Sequence, residues 1–459
     1  MRYHFIAIGG AAMHNLAIAL AQAGHDVSGS DDEIFEPSRS RLEKHGLLPS
    51  AYGWFPERIT SDIDAVILGM HARKDNPELV RAEDFAIPVY SFPEFLYRQY
   101  IDKKRVVVAG SHGKTTITAM ILHVLKQAGQ QPDYMVGAQL DGFDVMVRIS
   151  AGDGIAVLEG DEYLTSPVDR RSKFLHYHPH LLLISGIAWD HMNVFPTFDD
   201  YLAPFVSLIH GLPENGAIVY NVDDPVLKEM VERETPEGVR RIPYSLPAYH
   251  MDEGRAWLEM EGASYGLQVF GRHNLSNLMG AAEVCRELGI GGDVIWPALA
   301  SFPGASRRLE RVFTGTNLHV FRDFAHAPSK LKATVGAVRE LLPGHHLVAC
   351  MELHTYSSLN ADFLPHYAGS MQGADTAIVF YHPDTIALKK LPPVSAEQVR
   401  TAFDRPDLLI FHDSGQLQDY LMGLKTNKLG LLMMSSGDFH GIQMPAIFET
   451  LQQHYERNS

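Results

Sequence analysis

An apolar run, Val106-Val107-Val108-Ala109, leads directly into Gly110-Ser111-His112-Gly113-Lys114-Thr115-Thr116, and a helical pattern follows over 117–122. A buried strand, a glycine-containing loop and Gly-Lys-Thr at a helix start make a polyphosphate cradle, because backbone N–H groups and the positive helix end converge on the loop. Lys114 would reach the outer phosphates, and the hydroxyl of Thr115 or Thr116 would ligate Mg²⁺. The general spacing of such loops puts a glycine five residues before Gly113. Val108 stands there, so the loop is shortened and matches the general pattern only in part.

Further along, Ala156-Val157-Leu158-Glu159-Gly160-Asp161-Glu162 ends an apolar strand in three acids. Carboxylates at the carboxyl end of a strand, downstream of a phosphate loop, are where an α/β fold presents groups to a metal and its ligand, although a solvated turn has the same composition. The run over 181–193 repeats the layout and ends in Asp190-His191-Met192-Asn193, where His191 reads equally as a ligand or as a satisfied structural histidine. Asn274 and Asn277 lie three apart at the start of a helical pattern, on one face. Their amides suit the edge of a base, and helix capping uses them equally well. Arg307, Arg308 and Arg311 surround a turn where a guanidinium fork would fit a phosphate, or would simply be solvated. Asp323, in Phe321-Arg322-Asp323-Phe324-Ala325-His326-Ala327-Pro328, follows a strand and can hold ribose hydroxyls or cap the next helix.

To position these groups, short β-rich runs bounded by glycine alternate with amphipathic segments along the whole chain, which predicts α/β architecture with parallel sheets. Strands are expected over 3–8, 65–68, 105–109, 155–158, 181–184, 217–221, 319–321, 346–351, 377–380, 408–411 and 430–434, more than one sheet usually holds. Polar or Pro/Gly-containing seams at 99–104 and 301–306 divide the chain into residues 1–100, 101–306 and 307–459, three pieces of ordinary domain size. The first piece opens with a strand, the turn Gly9-Gly10 and a helix, and a second strand ends at Ser30-Asp31. It lacks a full Gly-x-Gly-x-x-Gly, so a nicotinamide-dinucleotide reading is weak.

The composition, 46% hydrophobic and 20% charged over 459 residues, excludes disorder, collagen and coiled coil. With 39 Lys+Arg against 55 Asp+Glu the net charge is −16, which gives no general attraction to nucleic acid or to an anionic membrane. Two cysteines in apolar runs make no disulfide framework and point to a reducing cytoplasm. The apolar opening, 5–23, is interrupted by His14, Asn15 and Gln22, and no other stretch approaches a membrane span.

Taken in order, Gly-Ser-His-Gly-Lys-Thr-Thr, Glu-Gly-Asp-Glu, Asp-His-Met-Asn, Gly-Arg-His-Asn-x-x-Asn, Arg-Arg-Leu-Glu and Asp-Phe-Ala-His-Ala-Pro resemble the Mur ligase family of ATP-dependent amide-forming enzymes over nearly the whole chain. The resemblance implies a Rossmann-like UDP-binding domain, a central P-loop ATPase domain, and a C-terminal Rossmann-like domain that receives the amine and closes over ATP. It makes Gly110, Ser111, His112, Gly113, Lys114, Thr115, Thr116, Asn274, Asn277, Arg308, Asp323 and His326 the ATP contacts, with Asn274 at the adenine and Asp323 at the ribose. Thr115, Glu159 and His191 are then the Mg²⁺ residues, and Lys114, Glu159, His191 and Arg308 the catalytic set. Gly9, Gly10, Ser30, Asp31, Asp161 and Glu162 are assigned to the UDP substrate.

Several members of the family carry a metal-binding carbamylated lysine after the Asp-His segment, but here no Lys or Arg occurs from 191 to 227. That favours the branch whose members add to UDP-N-acetylmuramate itself. Within it, Met434-Ser435-Ser436-Gly437-Asp438-Phe439-His440-Gly441-Ile442 is closer to the members that attach the intact tripeptide L-alanyl-γ-D-glutamyl-meso-diaminopimelate in murein recycling. Met351-Glu352-Leu353-His354-Thr355-Tyr356-Ser357 keeps the alternative, free L-alanine, open. His354, Thr355, Ser436 and Asp438 are the amine-side candidates by position, with loop capping an equal account. The chain is expected to be a cytoplasmic monomer or weak homodimer with no nucleic-acid or membrane partner. A related class, the folylpolyglutamate synthases, lacks a UDP-binding first domain, and a nucleotide-binding regulator without catalysis would not need Lys114, Glu159 and His191 together.

Overall fold

The computed structural model describes residues 1–456 apart from 71, 141, 167–168, 190–193, 253 and 306–307. The architecture is α/β, with four sheets distributed over two compact units. The first unit comprises 1–189, 194–245 and 278–295, and the second 246–277 and 296–459.

The first unit holds two sheets. The smaller is wholly parallel, with strands in the order Asp26–Ser30, Arg2–Ile6, Ala65–Leu68, Val89–Ser91. The larger has seven strands, ordered Arg240–Tyr244, Ala217–Asn221, Leu181–Ile184, Lys104–Ala109, Ile155–Glu159, Asp133–Met135, Val147–Arg148. Only the last edge strand is antiparallel to its neighbour. The phosphate-loop strand is central, flanked by the two strands that end in the acid cluster and in the run before Asp190. Val106, Val107 and Val108 are fully buried there, as befits a parallel strand covered on both faces, and each such side chain contributes about 1.5–3 kcal/mol.

Within the stretch 99–104, polar in sequence and expected as a seam, Ile101, Asp102 and Lys104 are exposed while Tyr100 and Lys103 are buried. Tyr100 is fully buried and donates to the carbonyls of Tyr134 (3.2 Å) and Arg148 (2.8 Å). Lys103 is 3% exposed and pairs with Asp133 at 3.0 Å. Of the polar interruptions of the opening helix, Ala11–Gln22, two are buried too and Gln22 is exposed. His14 and Asn15 lie inside, and the Asn15 amide oxygen accepts the Met146 N–H at 3.0 Å. Among the described residues no helix is long and apolar enough to cross a membrane.

The second unit contains an antiparallel meander, Tyr249–Asp252, Arg255–Met260, Ala263–Gly266, and a six-stranded sheet. The order of the latter is Glu310–Thr314, Leu318–Asp323, Leu429–Met434, His346–Glu352, Thr376–Phe380, Leu409–Phe411, parallel except for its first strand. The expected strands all form, displaced by a residue or two at their ends. The strand expected over 3–8 stops at Ile6 because Ala7 takes a left-handed φ of 67°. The meander and the Arg240–Tyr244 edge were not legible, since their exposed positions alternate or carry arginine and proline.

Candidate active site

The helix Lys114–Gln127 begins directly after the loop, and the glycines that lead into it are required by conformation as much as by chemistry. Gly113, at the N-cap, has φ 77°, and Gly110 has φ 121° with its backbone against Ser185, so a Cβ at Gly110 would collide with that residue. Among the described residues no side chain caps the helix at Gly113, so its first N–H groups are open to the loop.

Lys114 folds back over this loop. Its ammonium donates to the Gly110 carbonyl at 2.7 Å and to Glu162 Oε2 at 2.6 Å. Burial alone would pull the Lys114 pKa down, but Glu162 and Asp161 outweigh it and hold it above its ordinary value. Glu159, at the end of its strand and 8% exposed, is shared by two elements. Its Oε1 accepts the Thr115 hydroxyl and its Oε2 the Gly137 N–H, both at 2.8 Å. A Cβ at Gly137 would sit 3.3 Å from this carboxylate, a tight approach. Asp161 pairs with Lys173 at 2.6 Å.

Lys114, Thr115, Glu159, Asp161 and Glu162 are thus brought together at the carboxyl ends of adjacent strands, where α/β sheets present ligand groups. The Thr115 hydroxyl and Glu159 carboxylate form an all-oxygen pair beside the phosphate loop, the donor chemistry that Mg²⁺ takes when a nucleotide supplies further oxygens. His191 lies outside the described residues. Glu162, expected on the UDP-substrate side, stands in the structure as the counter-ion of Lys114.

At the first sheet, Gly9 donates its N–H to Asp31 Oδ2 at 2.7 Å, tying the glycine turn to the end of the second strand. Ser30, fully buried, receives the Arg58 guanidinium at 3.3 Å. Burial first, and then the neighbouring Asp32, push the Asp31 carboxyl from 3.8 up to about 6, against the opposing N–H donors of Gly9 and Glu33. A raised carboxyl pKa favours the folded state at low pH. Its stabilisation is complete below the unfolded value and is lost as pH rises through about 6. Allowing for partial screening by solvent at the turn, the free energy at stake is about 2 kcal/mol. Asp31→Asn should therefore gain on the wild type by that order as pH rises from about 4 to about 7, which thermal melts across the range would read. A pH-independent difference would count against it.

In the second unit, Asp323 is 8% exposed and saturated: Oδ1 accepts the N–H groups of Leu309 (3.0 Å) and Phe324 (2.8 Å), and Oδ2 the Thr334 hydroxyl. Arg308 lies over the Phe324 ring at 4.5 Å, and His326 Nδ1 meets the Phe324 carbonyl at 2.9 Å. Arg308, Asp323 and His326 therefore form one cluster. The Asn274 amide donates to the Phe270 carbonyl at 3.0 Å, and Asn277 is buried on the same helix, Arg272–Glu287.

Of the amine-side candidates, Thr355 caps the 3₁₀ turn Ser357–Leu359 by accepting the Ser358 N–H at 3.1 Å. Ser436 carries a buried hydroxyl oxygen with no hydrogen-bond partner among the described residues, and Asp438 is exposed. Reading the sequence missed Glu352. It is 3% exposed, accepts the Phe439 N–H at 2.9 Å and the Ser435 hydroxyl, and lies 3.5 Å from His354. Burial alone would raise its carboxyl pKa, but His354 and these donors hold it below the ordinary value. Its signal was present: like Glu159, it is an acid closing an apolar run, here Leu347 to Met351, in a central strand.

Two family models match the chain, one described as Mur ligase middle domain over residues 108–285 and the other as Mur ligase family, catalytic domain, over 2–103. An Arthrobacter protein named UDP-N-acetylmuramate--L-alanine ligase is 31% identical over 82% of this chain and 80% of its own. The Escherichia coli UDP-N-acetylmuramate--L-alanyl-gamma-D-glutamyl-meso-2,6-diaminoheptandioate ligase is 29% identical over 96% of both chains. In three dimensions the chain is similar to a UDP-N-acetylmuramate-alanine ligase from Thermotoga maritima, with a TM-score of 0.70, 21% identity and complete coverage of both chains.

Proposed function

The chain belongs to the Mur ligase family of ATP-dependent, ADP-forming amide ligases, and on that premise we propose that it joins the lactyl carboxylate of UDP-N-acetylmuramate to the free amine of L-alanyl-γ-D-glutamyl-meso-diaminopimelate. The observation that carries the ligase chemistry is the convergence of Lys114, Thr115 and Glu159 at the phosphate loop. What favours the tripeptide is the segment 434–442, whose first turn is clasped by Glu352. The names of several relatives favour L-alanine instead, and that is the second reading.

In this scheme the lactyl carboxylate oxygen attacks the γ-phosphorus of ATP, the bond to the bridging oxygen breaks, and ADP leaves. The peptide amine then attacks the acyl phosphate, loses a proton and expels inorganic phosphate. Thr115 and Glu159 would hold Mg²⁺ with the nucleotide, and the ion would supply charge neutralisation on the phosphates. Lys114 steadies the charge growing on the transferring group, and the helix N-terminus adds backbone donors that need no reorganisation. Arg308, Asn274, Asn277, Asp323 and His326 are assigned to the nucleotide, and Gly9, Gly10, Ser30 and Asp31 to the UDP group. Residues 1–100, 101–306 and 307–459 would serve the UDP-sugar, ATP and the amine respectively. Both UDP-sugar and ATP are cytoplasmic metabolites in this reading, and the cytoplasm is the compartment it assigns to the protein.

ADP release measured with UDP-N-acetylmuramate and each amine in turn tests the proposal. Turnover with the tripeptide and not with alanine is the expected result. Turnover only with free alanine would replace the acceptor, and turnover with neither would overturn the reading.

A further inference from the structure

We propose that Tyr201, a residue outside the phosphate loop and its acids, is a positioning residue that governs how readily Lys114 passes from Glu162 to ATP. The inference rests on the nucleotide assignment above.

Tyr201 lies in the helix Phe198–His210 and is fully buried, its ring packed edge-on against Phe195 and Phe205 at 5.4 Å each. Its hydroxyl sits 2.8 Å from the Ser111 hydroxyl of the phosphate loop and 3.4 Å from Glu162 Oε1. Ser111 Oγ in turn accepts the Ala188 N–H at 2.7 Å. One proton order satisfies this run. A carboxylate only accepts, so the tyrosine donates to Glu162, the serine donates to the tyrosine, and the backbone donates to the serine. The relay ends on the oxygen of Glu162 that does not hold Lys114.

Its consequence follows from burial. Glu162 is 1% exposed, and its Oε2 holds the Lys114 ammonium at 2.6 Å. When Lys114 turns toward phosphate, Glu162 loses part of its cation in a place water does not reach, which is costly unless another donor takes up the charge. The tyrosine hydroxyl, at a long 3.4 Å, has room to shorten onto Oε1 as that happens. Hydrogen bonds in such chains strengthen one another, so the Ser111 and Ala188 donors add to its pull. Without the hydroxyl, Glu162 competes harder for Lys114 and ATP binds less well.

Binding of a fluorescent ATP analogue to the full chain, together with steady-state kinetics, would test this. Tyr201→Phe keeps the ring and removes only the hydroxyl. It should raise the Kd and the KM for ATP about tenfold, the effect of losing one hydrogen bond to a charged group, with kcat changed less than about twofold. Ser111→Ala, one link earlier, should act in the same direction and gives a second reading if the tyrosine variant folds poorly. In a Glu162→Gln background, where the competing charge is gone, Tyr201→Phe should have little further effect. A lowered melting temperature with unchanged ATP affinity would show a merely structural role and overturn the proposal. So would an equal loss of affinity in both backgrounds. Failure of the unaltered protein to bind the analogue would instead overturn the nucleotide assignment beneath it.

Discussion

Replacing Lys114 with alanine is expected to reduce ATP-dependent ADP release by about 10³-fold, the scale of losing one preorganised charge-stabilising group. The ammonium is held over the loop by the Gly110 carbonyl and Glu162, and its raised pKa keeps it charged through the working pH range. The same geometry predicts a second effect. With Lys114 gone, Glu162 becomes a buried carboxylate without its cation, at a cost of about 3 kcal/mol. The variant should therefore melt lower as well as turn over slowly. Lys114→Ala combined with Glu162→Gln should recover much of the melting temperature and none of the turnover. Substantial ADP release from either variant would remove Lys114 from the mechanism.

Glu159→Ala should produce the next largest loss, with the apparent requirement for Mg²⁺ raised about 10 to 100-fold. Its carboxylate orients the Thr115 hydroxyl on one side and receives the Gly137 N–H on the other, so removal both subtracts a charge and frees two donors. Excess Mg²⁺ should restore part of the rate. Glu159→Gln retains an acceptor for one of those donors while losing the charge, and should resemble alanine in its Mg²⁺ requirement more than in its stability. A rate indifferent to both the substitution and the Mg²⁺ concentration would end the metal role of this residue.

Much of this site was readable along the chain. The valine run into Gly110, the lysine after Gly113 and the acid closing Ala156-Val157-Leu158 are local signals, because an apolar run must be buried and a polar group at its end must face the sheet edge. Glu352 obeys the same rule at the end of its own strand and could have been found by it. Tyr201 could not. Nothing local distinguishes it from other aromatic residues of an amphipathic helix, and only packing brings its hydroxyl between Ser111 and Glu162, which lie 90 and 39 residues away. The polar stretch at 99–104 hides pairings of the same kind. Lys103 is satisfied by Asp133 and Tyr100 by the carbonyls of Tyr134 and Arg148, partners remote in sequence that composition cannot reveal.

By itself the sequence determined the α/β class, the phosphate loop and the order of the acids, since each follows from periodicity, glycine conformation and charge within a few neighbouring residues. The tertiary structure decided which charges are partners. It made Glu162 the counter-ion of Lys114, made Glu159 the acceptor shared by Thr115 and Gly137, and closed Asp323 upon Leu309, Phe324 and Thr334. Pairing of buried polar groups depends on distances between strands and helices that are far apart along the chain, and burial makes each pairing obligatory.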